Sequence, residues 1–337
     1  MTSSPREIRV ARALPPARRT YWCLESSRRK PTDYEITSTA LLYYPERGFE
    51  VDSPVLRHYV PASGWDAFRD PAALTYAGYV AERRDQEAFL DRLLERPARG
   101  LVPALEPLLG LLSALRFALH GMQMAAAYIG AFAPSGRIAI TAALQAADEL
   151  RRIQRICQWL SRSGRPSAEL DALGRELWQQ GPALQPLRRL VEELLVVYDW
   201  QQALVALSGV IKPLFDRLWF EQAVSLAERH DDEILEKILS SLGDDGLWHE
   251  TWFVAFAQLA AQREPAETEK MQAQVLAWRP RAASALQALL PAFDRLLQDD
   301  GARAYVWREL DSALSAHLGR AGLLAVEVGE APRADSF

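Results

Sequence analysis

Cysteine is scarce: Cys23 and Cys157 stand far apart in the 337 residues and form no CxxC. Two such thiols supply neither a disulfide framework nor a cysteine zinc site, and they suit a reducing cytoplasm. Histidine is nearly as rare. His58, His230 and His317 have no glutamate three positions earlier, and Glu228-Arg229-His230 has the wrong step for a helical chelate. His120, on an apolar stretch four residues before Met124, reads as a hydrogen-bonded core residue rather than a ligand. No GxGxxG, Walker loop or GxSxG occurs, so no cofactor cradle or nucleophile elbow is in view. The N-terminal stretch lacks a continuous apolar h-region and reads as no secretory signal. The most apolar segments are interrupted by Glu106, Arg116 and His120, short of the roughly twenty clean residues a bilayer span needs. A formal charge of -5 argues against nucleic acid as a partner. These absences predict a soluble cytoplasmic protein with neither nucleic-acid nor membrane partners.

What is present is helical period. Residues 116–162 read as two long apolar helices joined at Ala133-Pro134-Ser135-Gly136, with Ser135 capping the second. On that second helix Ile138, Thr141, Ala142, Gln145, Glu149, Arg152, Ile153, Ile156 and Leu160 recur at three- and four-residue steps and form one stripe. Glu149 therefore faces inward. Carboxylate-bridged di-iron bundles take one Glu from each of two helices and a Glu-x-x-His pair from each of two others. Here the pair is Glu149-x-x-Arg152, and a guanidinium has no lone pair for iron. Between Glu106 and Asp148 there is no Asp or Glu at all, so the preceding helix cannot supply its share. The outline of a metal bundle is present without its ligands, and Glu149 with Arg152 reads as an internal ion pair.

Along the chain, residues 1–64 form an extended, Pro/Tyr-rich N-terminal arm with little helical period. Trp22, Tyr21, Tyr34, Tyr43, Tyr44 and Phe49 give it too much aromatic surface to stay solvated. It is either the outer layer of its own fold or a contact with another subunit. Residues 65–320 form the helical domain and 321–337 a loosely held C-terminal tail. Asp70 with Pro71 is expected to cap a helix running to about Arg96, and a short helix ends near Trp178. The run from about Leu184 to Leu226 should break or kink at Lys212-Pro213, and the last helices should break near Pro280 and Gly301. In the second carboxylate-bearing segment, Asp245-x-x-Trp248 puts indole where imidazole would be. His249 stands four residues after Asp245, but Gly243 and Gly246 favour a helix start there, with Asp244 or Asp245 as its cap.

Taken in order, several short stretches resemble a known family: Thr20-Tyr21-Trp22, Arg29-Lys30-Pro31, Trp65-Asp66-Ala67-Phe68, Asp70-Pro71, Leu115-Arg116-Phe117, Gln123-Met124 and Ala127-Tyr128. The series continues through Gln145-Ala146-Ala147-Asp148, Asp199-Trp200, Val210-Ile211-Lys212-Pro213 and Trp278-Arg279-Pro280. The chain resembles the β subunit of the hydroxylase of bacterial multicomponent di-iron monooxygenases, those of toluene and related aromatics or alkenes above all. The resemblance spans nearly the whole chain and implies an all-α, ferritin-like (ribonucleotide-reductase-like) bundle lacking the di-iron ligands. It implies an (αβγ)2 assembly with α and γ subunits, a di-iron centre in α, electrons from NADH through a reductase and often a ferredoxin, and an effector protein. This chain is then expected to carry no catalytic, cofactor-binding or metal residue and to scaffold an oxygenase of aromatics or alkenes. The alternatives are a stand-alone ferritin-like helical adaptor or binding protein without metal, and an active di-iron oxidase with unusual ligands.

Overall fold

A computed structural model describes residues 64–97, 105–133, 135–297 and 301–323; most of the expected N-terminal arm and C-terminal tail lie outside them. A short 3-10 turn, Gly64–Ala67, leads into ten longer helices, a second 3-10 turn at Pro182–Leu184 separates the fourth from the fifth, and no strand occurs among the described residues. The helices are α1 (Tyr76–Leu94), α2 (Glu106–Phe132), α3 (Gly136–Ser161), α4 (Ser167–Gln180) and α5 (Gln185–Leu195). Then come α6 (200–229), α7 (Glu233–Arg263), α8 (Pro265–Gln287), α9 (Leu290–Leu297) and α10 (Ala302–Arg320).

The α2–α3 hairpin is the spine of the fold. Ser135 accepts from the Arg137 N–H and caps α3, as its sequence position implied. A methyl group on Gly130 would come within 3.1 Å of the Ala139 carbonyl, which measures how closely the two backbones pass. On α3 the predicted stripe is buried throughout, with Ile153 half-buried. α4 lies along the first half of α2, where Gly174 leaves room for the Ser113 backbone. The aromatic core includes Trp65 stacked on Phe256 at 5.1 Å and Trp219 against Phe293.

Several expected boundaries move. Asp70 caps no helix: it accepts from the Ala72 and Leu74 N–H groups in a turn, Ala73 adopts φ 50°, and Thr75 caps α1 instead. The run from 184 is interrupted at Val196–Asp199, and Asp199 caps α6 by accepting from Gln202. The chain passes through Lys212-Pro213 without a break because Val205–Ile211 is wound as a wider π turn. There the Lys212 N–H reaches the Leu207 carbonyl five residues back, and Gly209, four before the proline, adds no side chain to the crowding. A second π segment, Leu218–Gln222, follows within α6. α8 runs straight through Pro280. Leu276, four residues earlier and on the exposed flank, is the residue whose carbonyl loses its partner, and water can serve it there. The break falls instead at 288–289; that at Gly301 stands, just before α10.

Candidate functional site

α3, α6 and α7 converge on a buried set of charges. From α3, Glu149 and Arg152 point inward as an ion pair at 3.3 Å, both fully buried. α6 answers with Lys212 and Asp216, one turn apart. Lys212 Nζ donates to Glu149 Oε1 at 2.5 Å and lies 3.1 Å from Asp216 Oδ2. The Arg152 guanidinium spans Asp216 with two bonds of 2.9 and 3.0 Å, donates to the Leu242 carbonyl of α7 and lies over the Phe220 ring. Two carboxylates and two cations sum to zero. Burial works against the Arg152 charge, but Asp216 and Glu149 hold it protonated; in turn Arg152 and Lys212 hold Asp216 below the usual carboxylate range.

A second buried set centres on Asp148, whose side chain faces α1 and α7. It accepts from Tyr79 Oη at 2.7 Å, Arg83 Nε at 2.8 Å and Arg83 Nη2 at 3.1 Å, with His249 Nε2 at 3.0 Å. Asp245 of α7 lies 3.1 Å from Arg83 and accepts from Arg151 at 2.6 Å; Arg151 also holds Glu87 of α1. Burial opposes ionisation of Asp148, but His249 and Arg83 hold its carboxyl well below the ordinary range. Asp245 goes the other way, pushed up by burial and by the Asp148 charge beside it.

Asp245 is therefore no helix cap. α7 begins twelve residues earlier, where Asp232 accepts from Leu235, and Asp245 sits in its buried middle while Asp244 is exposed. Gly243 and Gly246 serve close approach rather than a helix start. A methyl on Gly246 would stand 2.6 Å from Asp216 Oδ2, and one on Gly243 would stand 3.2 Å from the Phe220 carbonyl. Trp248 donates to Asp70. His249 pairs with Asp148 rather than with Asp245.

The remaining histidines part ways. His120 is exposed on α2 and not a core residue, because it lies beyond the part of α2 that α4 covers. His230 is half-buried at the end of α6, and His58 lies outside the described residues. His317 of α10 is buried and has a clear role. Leu207 takes the Lys212 N–H, so the Ser208 carbonyl would next have to meet residue 213, which is proline and has no N–H. His317 Nε2 donates to that carbonyl at 3.2 Å. Above it, Gln145 bridges Ser208 and Trp252 Nε1.

Both buried histidines are pushed down, His249 to about 4 by burial and the Lys212 charge, His317 to about 3 by burial and Arg320. Above pH 6.5 they are neutral folded or unfolded. Below it the unfolded chain takes protons that the folded chain refuses, so each withdraws up to about 1.4 kcal/mol per pH unit. Asp245 and Glu250, raised by burial, act in the opposite direction over part of this range. The test is therefore comparative: His249→Gln should flatten the fall in thermal midpoint between pH 6.5 and 4 relative to wild type. An unchanged profile would mean that the folded imidazole accepts the proton.

Chemically the first set is closed: the Glu149 and Asp216 oxygens are engaged by guanidinium and ammonium, which have no lone pair to offer. In the second set Asp245 Oδ1 meets Arg83 only as an ion pair and His249 Nδ1 has no hydrogen-bond partner. Among the described residues no group of three or more His, Cys, Asp or Glu is arranged to hold a metal ion. The donor set does not fit a di-iron centre. Sequence reasoning found Glu149 and Arg152 but missed Asp148, Tyr79, Arg83, Arg151, Lys212 and Asp216. The available signal was Lys212 and Asp216 at i and i+4 inside the apolar run VIKPLFDRLWF.

The model of the methane/phenol/alkene hydroxylase family matches residues 48–264. The β subunit of the hydroxylase component of the toluene-4-monooxygenase system of Ectopseudomonas mendocina is 31% identical over 300 residues, covering 81% of this chain and 89% of that protein. DmpL, the oxygenase component of a phenol 2-monooxygenase of Pseudomonas sp. (strain CF600), is 27% identical and covers 93% of this chain and 96% of its own length. A structure of toluene 4-monooxygenase with toluene bound in its resting active site superposes with a TM-score of 0.65 at 29% identity, covering 78% of this chain and 94% of that one. Phenol hydroxylase from Pseudomonas sp. OX1 shares the fold, with a TM-score of 0.64 at 23% identity and coverage of 78% and 80%. With its ferritin-like helical fold, this chain belongs to the methane/phenol/alkene hydroxylase family.

Proposed function

We propose that this chain is the non-catalytic structural β subunit of a soluble, cytoplasmic di-iron hydroxylase that uses O2 and NADH-derived electrons on aromatics or alkenes. Its own work is binding: it scaffolds an (αβγ)2 assembly whose di-iron centre belongs to the α subunit. The observation that carries this reading is the closed charge set of Glu149, Arg152, Lys212 and Asp216 at the convergence of α3, α6 and α7. Cations of the protein itself neutralise the carboxylates where a metal would be needed. The names of the relatives support the coarser part of the reading, since they are components of monooxygenase systems.

The test is co-expression with the large hydroxylase subunit, followed by mass and iron content across a sizing column. The chain is expected to elute in a complex whose iron tracks the partner, and Glu149→Ala should leave iron per large subunit unchanged. A chain that elutes alone with bound iron, lost in Glu149→Ala, would make it an oxidase in its own right. A chain that elutes alone, monodisperse and without iron would make it a free-standing helical adaptor.

A further inference from the structure

Between Arg116 and Asp148 the sole charged residue is Arg137, and the structure turns that composition into a surface. On α2, beyond the reach of α4, His120, Met124 and Ala127 are exposed. On the adjoining flank of α3, Ile140, Ala143 and Leu150 are exposed, with Ile140 at 54% and Leu150 at 46%. α1 continues the surface. Glu87 pairs with Arg151 and Arg155 of α3, and Tyr76 and Val80 share its helical stripe, so they lie on the α3-facing flank, 74% and 44% exposed.

We propose that this α1–α2–α3 face is where the large hydroxylase subunit docks, through an uncharged, apolar helical face of its own; the proposal rests on the β-subunit reading above. Three helices about 10 Å apart, presented over about 20 Å of their length, offer on the order of 600 Å2. Counted on both partners this comes to about 1,200 Å2, the lower end of what a stable interface buries. From Phe117 to Ala147 the face carries one charge, Arg137, so this part of it is complementary to another surface with few charges, and apolar area left over on a folded chain marks association. A different subunit is favoured over a second copy because the relatives' names, "subunit beta" and "small subunit", place them beside another chain in one hydroxylase component.

The experiment is co-expression of the full chain with its large hydroxylase subunit, comparing wild type with Met124→Arg, Ala143→Arg and Leu150→Arg. Tyr305→Arg on α10 is the control, exposed but away from the face. Each face variant buries an unpaired cation and should weaken the hetero-complex by about 100-fold or more, while the control leaves it unchanged. Circular dichroism and thermal midpoint identify any variant that fails to fold. Hydrogen exchange on the wild type supplies an independent readout, with protection expected at 120–127 and 140–150 on complex formation. Folded face variants that assemble like wild type, or absent protection there, overturn the assignment while leaving the β-subunit reading intact. A wild-type chain that never joins the large subunit overturns both. A homodimer abolished by the face variants, with hetero-assembly unaffected, would assign the face to a second copy instead.

Discussion

Replacing Arg152 by methionine is expected to lower the unfolding free energy by about 3–5 kcal/mol, the cost of breaking a buried pair from one side. The side chain is fully buried, bonds Asp216 twice, contacts Glu149, donates to the Leu242 carbonyl and covers the Phe220 ring. Methionine can fill much of the volume but none of these roles. Glu149 and Asp216 would then share Lys212 alone, leaving one uncompensated negative charge in the interior. Adding Asp216→Asn to Arg152→Met restores neutrality with the Glu149–Lys212 pair intact, and more than half of the loss should return. Urea unfolding of the three proteins measures this. A loss below about 1 kcal/mol in the single variant would mean that solvent reaches the carboxylates.

Asp148→Ala should cost a similar amount, about 3–5 kcal/mol, but the damage should be distributed differently. Arg152 joins α3 to α6 and α7, whereas Asp148 ties α3 to α1 and α7. Its loss leaves the Tyr79 hydroxyl only the distant Leu144 carbonyl at 3.5 Å, strands the His249 Nε2–H and leaves Arg83 with Asp245 as its buried partner. Amide exchange should therefore quicken in α1 well before α4, which packs on α2 and touches none of this network. Equal acceleration in both helices would mean that Asp148 contributes to global stability without clamping α1.

The difference between these two residues also marks what the sequence made legible. Glu149 and Arg152 stand three apart on one helix, so periodicity alone put them side by side. Asp148 is their neighbour in sequence, but its partners Tyr79, Arg83 and His249 lie 65 or more residues away, and no local pattern encodes such a meeting. Glycine misled for a related reason. Gly243 and Gly246 read as helix punctuation, yet they sit inside α7 because Phe220 and Asp216 of α6 press against it there. Proline misled at Lys212-Pro213 and Pro280, where helix continued because the missing backbone bond was accommodated. The junction between α2 and α3, the Ser135 cap and the extent of α3 were set by strictly local chemistry and came out as the residues indicate, whereas α2 begins at Glu106, ten residues before the expected start at 116.

The bond between His317 and the Ser208 carbonyl also has a consequence in time. The carbonyl that Pro213 leaves without a helical partner is satisfied by a residue 109 positions further along the chain. At ordinary rates of synthesis, about 5–20 residues per second, Ser208 is made some five to twenty seconds before His317 exists. For that interval the wide turn of α6 must stay hydrated, and the charges of Lys212 and Asp216 just beyond it cannot be sealed from water. The inner bundle is thus completed by its last described helix, and a chain stopped before α10 should remain open at its centre, with water holding the Ser208 carbonyl.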